Sequence, residues 1–271
     1  MNQRKDLEIA VVGAGLIGLS AAYYLQKLEA KVTLIDRSFV GDCIPKLGLT
    51  KVMAYCQKTQ PGALTERGIA LAQMIAKELG YIGSLHNADD ETCVAQSNNL
   101  GQNRVVTLQD FSVDLAERCR DSGVLILEAA PVNRLLGFNN EMWGVETASG
   151  PVMVDEVVIC AGLHSQVLLS SVGLSLPLKA ADNGLGASSA RQGIPGVFTG
   201  MVPLTPNGVP YVGRPEGYRG LYLGIGHGTN PAAAIGVGEE IAETLCGVEN
   251  RPVNVLLRRD SFGSHPVTQA L

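Results

Sequence analysis

The chain has 271 residues, 46% hydrophobic and 17% charged, enough to bury a substantial core in one large or two modest domains. The formal net charge is −5 and no Lys/Arg block stands out, which argues against a nucleic-acid partner. With 32 glycines and few aromatics, the composition suits an α/β protein with many tight strand-to-helix turns better than a small all-β domain.

In chain order, residues 7–12 predict a short buried parallel strand ended by Gly13. Residues 14–28 predict a helix, with Leu16, Ile17, Ala21, Leu25 and Leu28 on one face. Residues 31–36 read as a second strand, rich in β-branched side chains. No periodic pattern emerges from Asp36 to Pro61. Residues 62–79 predict a helix stopped by Gly80, and 81–110 are polar and irregular.

A helix over 111–121 and a strand over 124–127 follow. Three strand-like runs come next, at 131–136, 142–147 and 152–159, with Asn139-Asn140 and Ser149-Gly150 as turns. Residues 177–195 carry little apolar pattern, and 197–212 are turn-rich. A strand at 222–224 precedes a helix at 231–245, which Asn230 can cap and Pro231 can open. Residues from about 250 onward read as a tail.

Cys43, Cys56, Cys93, Cys119, Cys160 and Cys246 form no CxxC pair and no metal-ligand spacing, so they read as dispersed reduced thiols. The start, Met1-Asn2-Gln3-Arg4-Lys5-Asp6, has no signal-peptide pattern. The apolar run 9–19 is short and interrupted by glycines, so it cannot span a bilayer as a helix. The expected location is cytoplasmic, with peripheral membrane contact left open.

The strongest local signal is Val12-Gly13-Ala14-Gly15-Leu16-Ile17-Gly18. A lone GxGxxG is weak, but here an apolar strand precedes it, a helix follows, and a second strand ends in Asp36 at βαβ distance. Gly13 allows the sharp turn, Gly15 admits a pyrophosphate without a Cβ, and Gly18 lets helix and strand pack closely. The helix N-terminus offers N–H groups and partial positive charge to phosphates. Asp36 is placed to bind ribose hydroxyls. These features serve FAD or NAD alike, and Arg37 could even face a 2′-phosphate.

The rest of the chain resembles the FAD-dependent D-amino-acid oxidase/dehydrogenase superfamily, which includes glycine oxidase and D-amino-acid dehydrogenase. Three segments carry the resemblance. The first is 8–37, ending in Val32-Thr33-Leu34-Ile35-Asp36-Arg37. The second is 111–168, where a β-meander leads into Val157-Val158-Ile159-Cys160-Ala161-Gly162. The third joins 200–214, from Gly200-Met201-Val202-Pro203 to Tyr211-Val212-Gly213-Arg214, with Gly224-Ile225-Gly226-His227-Gly228-Thr229.

The resemblance implies an α/β fold: a Rossmann-like, glutathione-reductase-like FAD-binding domain with a β-meander and a reduced α+β substrate region. Residues 1–37, 111–176 and 197–250 would form the discontinuous FAD-binding domain. Residues 38–110 and 177–196 would form the reduced substrate or cap region, and 251–271 the tail. The implied cofactor-binding residues are Gly13, Ala14, Gly15, Leu16, Ile17, Gly18, Asp36, Arg37, Val132, Ala161, Gly162, Gly226, His227, Gly228 and Thr229. Val132 would meet the adenine, and the helix from Pro231 would point at the isoalloxazine. No catalytic side chain and no metal ligand is singled out.

Two departures from the family pattern stand out. Val202 occupies the place where the family usually carries a substrate-binding Arg, and it reads as a packing residue. The chain is also short: residues 179–196 contain no run of strands, and Val40-Gly41-Asp42-Cys43 is a remnant of the stretch expected beside the flavin. A carboxylate substrate would then need Arg191 or Arg214.

His227 reads as a candidate hydrogen-bonding partner of cofactor or substrate, and His164 as a neighbour of the cofactor. His86 and His265 read as surface residues, Tyr211 as a candidate pocket residue, and Tyr23 and Tyr24 as helix packing.

The function implied is oxidation of the C–N bond of a small amine or D-amino acid by hydride transfer to flavin N5, with oxygen or a quinone as electron acceptor. The alternative is a non-catalytic or accessory FAD-binding subunit working with a partner subunit or as a homo-oligomer.

Overall fold

The computed structural model describes residues 6–44, 46–60, 62–83, 85, 94–96, 103–182, 201–206, 208–228 and 230–248. Its centre is a βαβ unit: β1 (Glu8–Val12), α1 (Leu16–Lys27) and β2 (Lys31–Ile35). Two helices follow, α2 (Leu49–Thr59) and α3 (Ala63–Glu78), then a short antiparallel pair, β3 (Val94–Gln96) and β4 (Asn103–Val105). Helix α4 (Leu108–Asp121) leads into β5 (Leu125–Leu127). The strands β6 (Val132–Phe138), β7 (Glu141–Thr147) and β8 (Gly150–Met153) form an antiparallel meander, and β9 (Glu156–Ile159) returns to the main sheet.

A short 3-10 turn, Gly162–His164, opens α5 (Ser165–Ser170). Strands β10 (Lys179–Asp182) and β11 (Met201–Leu204) pair antiparallel. The described chain closes with β12 (Tyr211–Gly213), β13 (Leu221–Ile225) and α6 (Pro231–Cys246).

The main sheet runs β12-β13-β9-β1-β2-β5, parallel throughout except for β12 against β13. Strand alternation divides the core. Ile9 and Val11 of β1 join one buried cluster with α1, α2, α3, α4 and α6, while Ala10 and Val12 join another with the meander and α5. Ser20 on α1 donates to the carbonyl of Ile235 on α6 at 2.8 Å, fastening the two helices that cover the first face.

The expected elements from 7 to 36 are present within a residue or two. Helix α2 is an addition to the sequence reading. Its buried Leu49, Val52, Met53 and Cys56 do recur at helical spacing, but neither end carries a side-chain cap and polar residues fill the rest. Helix α4 begins at Leu108 rather than 111, because Thr107 and Asp110 form a reciprocal capping box.

The single strand expected over 152–159 is two strands. The break lies at Asp155, whose N–H donates to the Glu8 carbonyl and whose Oδ2 accepts the Glu8 N–H, both at 2.9 Å. There the chain leaves the meander and enters the parallel sheet. The segment expected to be only turn-rich, 197–212, contains β11 and part of β12. The proposed tail, 251–271, lies outside the described residues.

Candidate functional site

In the sheet, β1 is flanked by β2 on one side and β9 on the other, so the chain order reverses at its carboxyl end. Open α/β sheets bind ligands at such a reversal. Here it opens into a cavity of about 450 Å³, within the usual size of a small-molecule site. Four strand ends feed its wall: Val12-Gly13 after β1, Asp36-Arg37 after β2, Cys160-Ala161-Gly162 after β9, and Ile225-Gly226-His227-Gly228 after β13.

The turn after β1 explains its glycines. Gly13 has φ +107°, and a Cβ there would meet the Cys160 carbonyl. A Cβ on Gly18 would overlap the Gly13 carbonyl, so the helix can approach the turn only without a side chain at that position. Gly15 differs: nothing stands within 4 Å of where its Cβ would be. The space beside it is open, no side chain caps α1, and no acid occupies its first turn. This is the cradle a pyrophosphate needs: free N–H groups at a helix N-terminus, with room for the phosphates.

Asp36 closes the second side. Its Oδ2 accepts the Ala14 N–H at 2.6 Å and its Oδ1 accepts the Ser38 N–H at 2.8 Å. Its own N–H donates to Leu127 of β5 at 2.9 Å.

Of the expected cofactor residues, Gly13, Gly15, Leu16, Ile17, Asp36, Arg37, Val132, Ala161, Gly162, Gly226, His227 and Gly228 line the one cavity. Ala14 and Gly18 stand behind the wall and shape the turn. Thr229 lies outside the described residues.

The cavity also recruits Ile44 and Leu108, which the sequence reading passed over, together with Cys43 and Pro203 from the segments it had quoted. Leu49 N–H donates to the Val106 carbonyl at 2.8 Å and Leu108 N–H to the Leu47 carbonyl at 2.7 Å. These bonds bring two segments sixty residues apart to the same wall, a pairing no local pattern announces.

His227 is half-buried and lines the cavity. Burial pushes its imidazole down to about 4. His164 also lines the cavity, and its pKa is lowered by burial and then by the Arg37 charge. Cys43 is raised by burial, with Asp36 adding to the effect. Val202 lines the cavity as a half-buried apolar residue.

Arg214 is not available to a substrate carboxylate. It forms a two-pronged pair with the buried Glu156 at 2.8 and 3.0 Å, and so holds the loop after β12 to the start of β9. Tyr211 is buried away from the cavity wall and donates to the Pro177 carbonyl at 3.4 Å. Tyr23 bonds Glu78 and Lys27 on the helical face. Arg191, His86, His265 and Cys93 lie outside the described residues. The five described cysteines are free, and among the described residues no cluster of His, Cys, Asp or Glu could hold a metal. No described helix is long and apolar enough to cross a membrane.

Residues 8–92, which contain the glycine turn and Asp36, match the DAO family, described as FAD dependent oxidoreductase. Over this stretch the chain is similar to that family. That family's description names FAD, which favours FAD in the choice that Asp36 left open.

A D-amino acid dehydrogenase from Rhizorhabdus wittichii is 24% identical over 200 residues, covering 51% of this chain and 48% of the relative. The chain thus spans about half the length of the curated relatives it matches.

Among solved structures, glycine oxidase from Geobacillus kaustophilus superposes with a TM-score of 0.68 at 15% identity, over 94% of this chain and 99% of that one. L-proline dehydrogenase from P. horikoshii gives 0.67 at 16% identity, over 92% and 96%. These likenesses concern the fold, and they bear out the expected α/β architecture with its parallel sheet.

Proposed function

We propose that this chain is an FAD-dependent oxidoreductase that oxidises the C–N bond of a small amine or amino acid. One observation carries the reading: the uncapped α1 N-terminus with open space at Gly15, at the carboxyl end of β1, and the Gly226-His227-Gly228 turn, at that of β13, line one mainly apolar cavity. A dinucleotide bound at the first end would reach toward the second.

In this reading, Gly13, Gly15, Leu16 and Ile17 hold the pyrophosphate, Asp36 and Arg37 the adenosine ribose, and Val132 the adenine. Ala161 and Gly162 run beside the cofactor. Gly226, His227, Gly228 and the start of α6 lie beside the flavin ring system. Bound FAD supplies a two-electron acceptor for a hydride from the carbon that bears the amine.

The protein contributes position and field. Val202, Pro203 and Ile225 exclude water from the flavin end and so strengthen the electrostatics there. The N-terminus of α6, a helix of 16 residues, offers partial positive charge to a ring that becomes more electron-rich. The electrons would leave to oxygen or to a quinone. Residues 38–110 and 177–196 would act as a reduced substrate region.

A second reading is a FAD-binding subunit that needs a partner chain or a second copy to complete its substrate site. The presence of Val202 on the cavity wall, where the family usually carries Arg, favours it.

The purified protein separates the two. A visible flavin spectrum that bleaches on anaerobic addition of amines or D-amino acids supports the oxidoreductase. Flavin that never bleaches supports the subunit, and a colourless protein that takes up no added FAD removes both.

A further inference from the structure

The loop that follows β2 meets the cavity at both of its ends. Asp36 and Arg37 line the wall where the loop begins, and Cys43 and Ile44 line it where the loop returns. Residues 38–42, between them, are not part of the wall.

The chain leaving β5 runs beside this loop. Ala130 N–H donates to the Asp36 carbonyl at 2.8 Å, and Ala129 N–H to the Ser38 carbonyl at 3.2 Å. At Val40 a side chain takes over from the backbone. Glu128 Oε1 accepts the Val40 N–H at 2.7 Å, and its Oε2 accepts from Arg120 on α4 at 2.8 Å. A backbone N–H that meets a carboxylate makes a charge-assisted bond, about twice as strong as a neutral one.

Two backbone conformations fit this arrangement. Gly41 has φ +91° and lies against α4, where a Cβ would press on Gln109 and Val113, and Gln109 donates to its carbonyl at 2.9 Å. Ala129, next to Glu128, has φ +49°, which a residue with a Cβ adopts at a cost. Such a conformation persists where its surroundings over-determine it, and it is concentrated at functional sites.

Glu128 itself does not line the cavity. It joins the loop to α4, whose first residue, Leu108, does.

We infer that Glu128 is a positioning residue for the cofactor. By tying Val40 to Arg120 it holds the loop so that Asp36, Arg37, Cys43 and Ile44 stay in place on the wall, and it slows the release of bound FAD. The inference rests on the FAD reading and adds to it a residue that never touches the ligand.

The experiment compares the full-length protein with Glu128→Ala, Glu128→Gln and Arg120→Ala. Arg134→Ala is the control, since its ion pair with Glu146 is exposed on the meander. Two rates are measured. FAD release from the holoprotein is followed by fluorescence after dilution. Alkylation of Cys43, an exposed thiol on the loop, is followed in the apoprotein by mass spectrometry of its own peptide.

Glu128→Ala should release FAD about tenfold faster or more, and its Cys43 should react faster than in wild type. Glu128→Gln keeps an acceptor for Val40 and should recover part of both losses. Arg120→Ala frees the carboxylate from α4 and should raise both rates by less. Arg134→Ala should match wild type.

Wild-type rates in Glu128→Ala would overturn the inference, and so would wild-type rates in Arg120→Ala should Glu128→Ala fail to fold. Faster release with an unchanged Cys43 rate would also overturn it, because the loop would not have moved. An equal rise in Arg134→Ala would do the same. None of these results touches the FAD reading. Wild-type protein that takes up no FAD would instead remove that reading, and this inference with it.

Discussion

The carboxylate of Asp36 accepts the backbone N–H of Ala14 at 2.6 Å, joining the end of β2 to the glycine turn after β1. Its second oxygen accepts Ser38 N–H at 2.8 Å. A carboxylate has about four acceptor sites, so capacity remains for ribose hydroxyls. Asp36 is thus both a brace for the turn and a candidate ligand.

Replacing Asp36 by Ala removes both roles. FAD affinity should fall about 10- to 100-fold, the equivalent of losing one hydrogen bond to a charged group. The apoprotein should also unfold at lower urea. Fluorescence titration with FAD and urea melts measure the two losses, and an unchanged FAD affinity would remove Asp36 from the site.

Gly15 and Gly18 should behave as opposites although they share one motif. A side chain at Gly15 enters open space, so the Gly15→Val apoprotein should lose only about 1 kcal/mol, the cost of a poor helix cap, yet retain no FAD. A side chain at Gly18 meets the Gly13 carbonyl, so Gly18→Val should lose about 1–3 kcal/mol or more by overpacking. Paired melts and cofactor content distinguish these outcomes. Full flavin occupancy in Gly15→Val would contradict the placement of the pyrophosphate.

Arg214 should prove structural. Arg214→Ala removes the two-pronged partner of the buried Glu156, and about 2–3 kcal/mol of stability should go with it, toward the low end for a broken buried pair because Arg214 keeps some exposure. In protein that remains folded, the amine concentration for half-maximal flavin reduction should stay at the wild-type value. A selective rise with carboxylate-bearing substrates would return Arg214 to the substrate site.

Acid should reveal the state of His227. An exposed imidazole in the unfolded chain titrates near 6.5, while burial holds His227 at about 4 in the folded chain. Between those values the unfolded chain binds more protons, so stability present above pH 6.5 is lost as the pH falls toward 4. The wild-type melting temperature should drop more steeply across that window than that of His227→Gln. His164 shifts in the same direction but is common to both proteins. Parallel slopes would mean that the His227 ring is not held neutral by burial.

Much of the cofactor half was legible in the residues. Strand 7–12 and the glycines are contiguous, and Asp36 ends the next strand of the same βαβ unit. Asn230 and Pro231 marked the start of α6 for the same reason, since capping is a local act. Helix α2 escaped notice because its buried stripe of Leu49, Val52, Met53 and Cys56 lies between uncapped ends. The split at Asp155 was invisible because the residue bonds to Glu8, 147 positions away in the chain.

By itself the sequence determined the βαβ unit, its phosphate-binding turn and the resemblance to FAD enzymes, because these depend on short-range spacing. Only the tertiary structure decided which side chains share the cavity. It drew Arg214 away to Glu156, left Val202 on the wall and brought Ile44 and Leu108 to the site. It also turned His227 into a neutral group. Burial, ion pairing and close approach depend on what the folded chain places nearby, and those neighbours are distant in sequence.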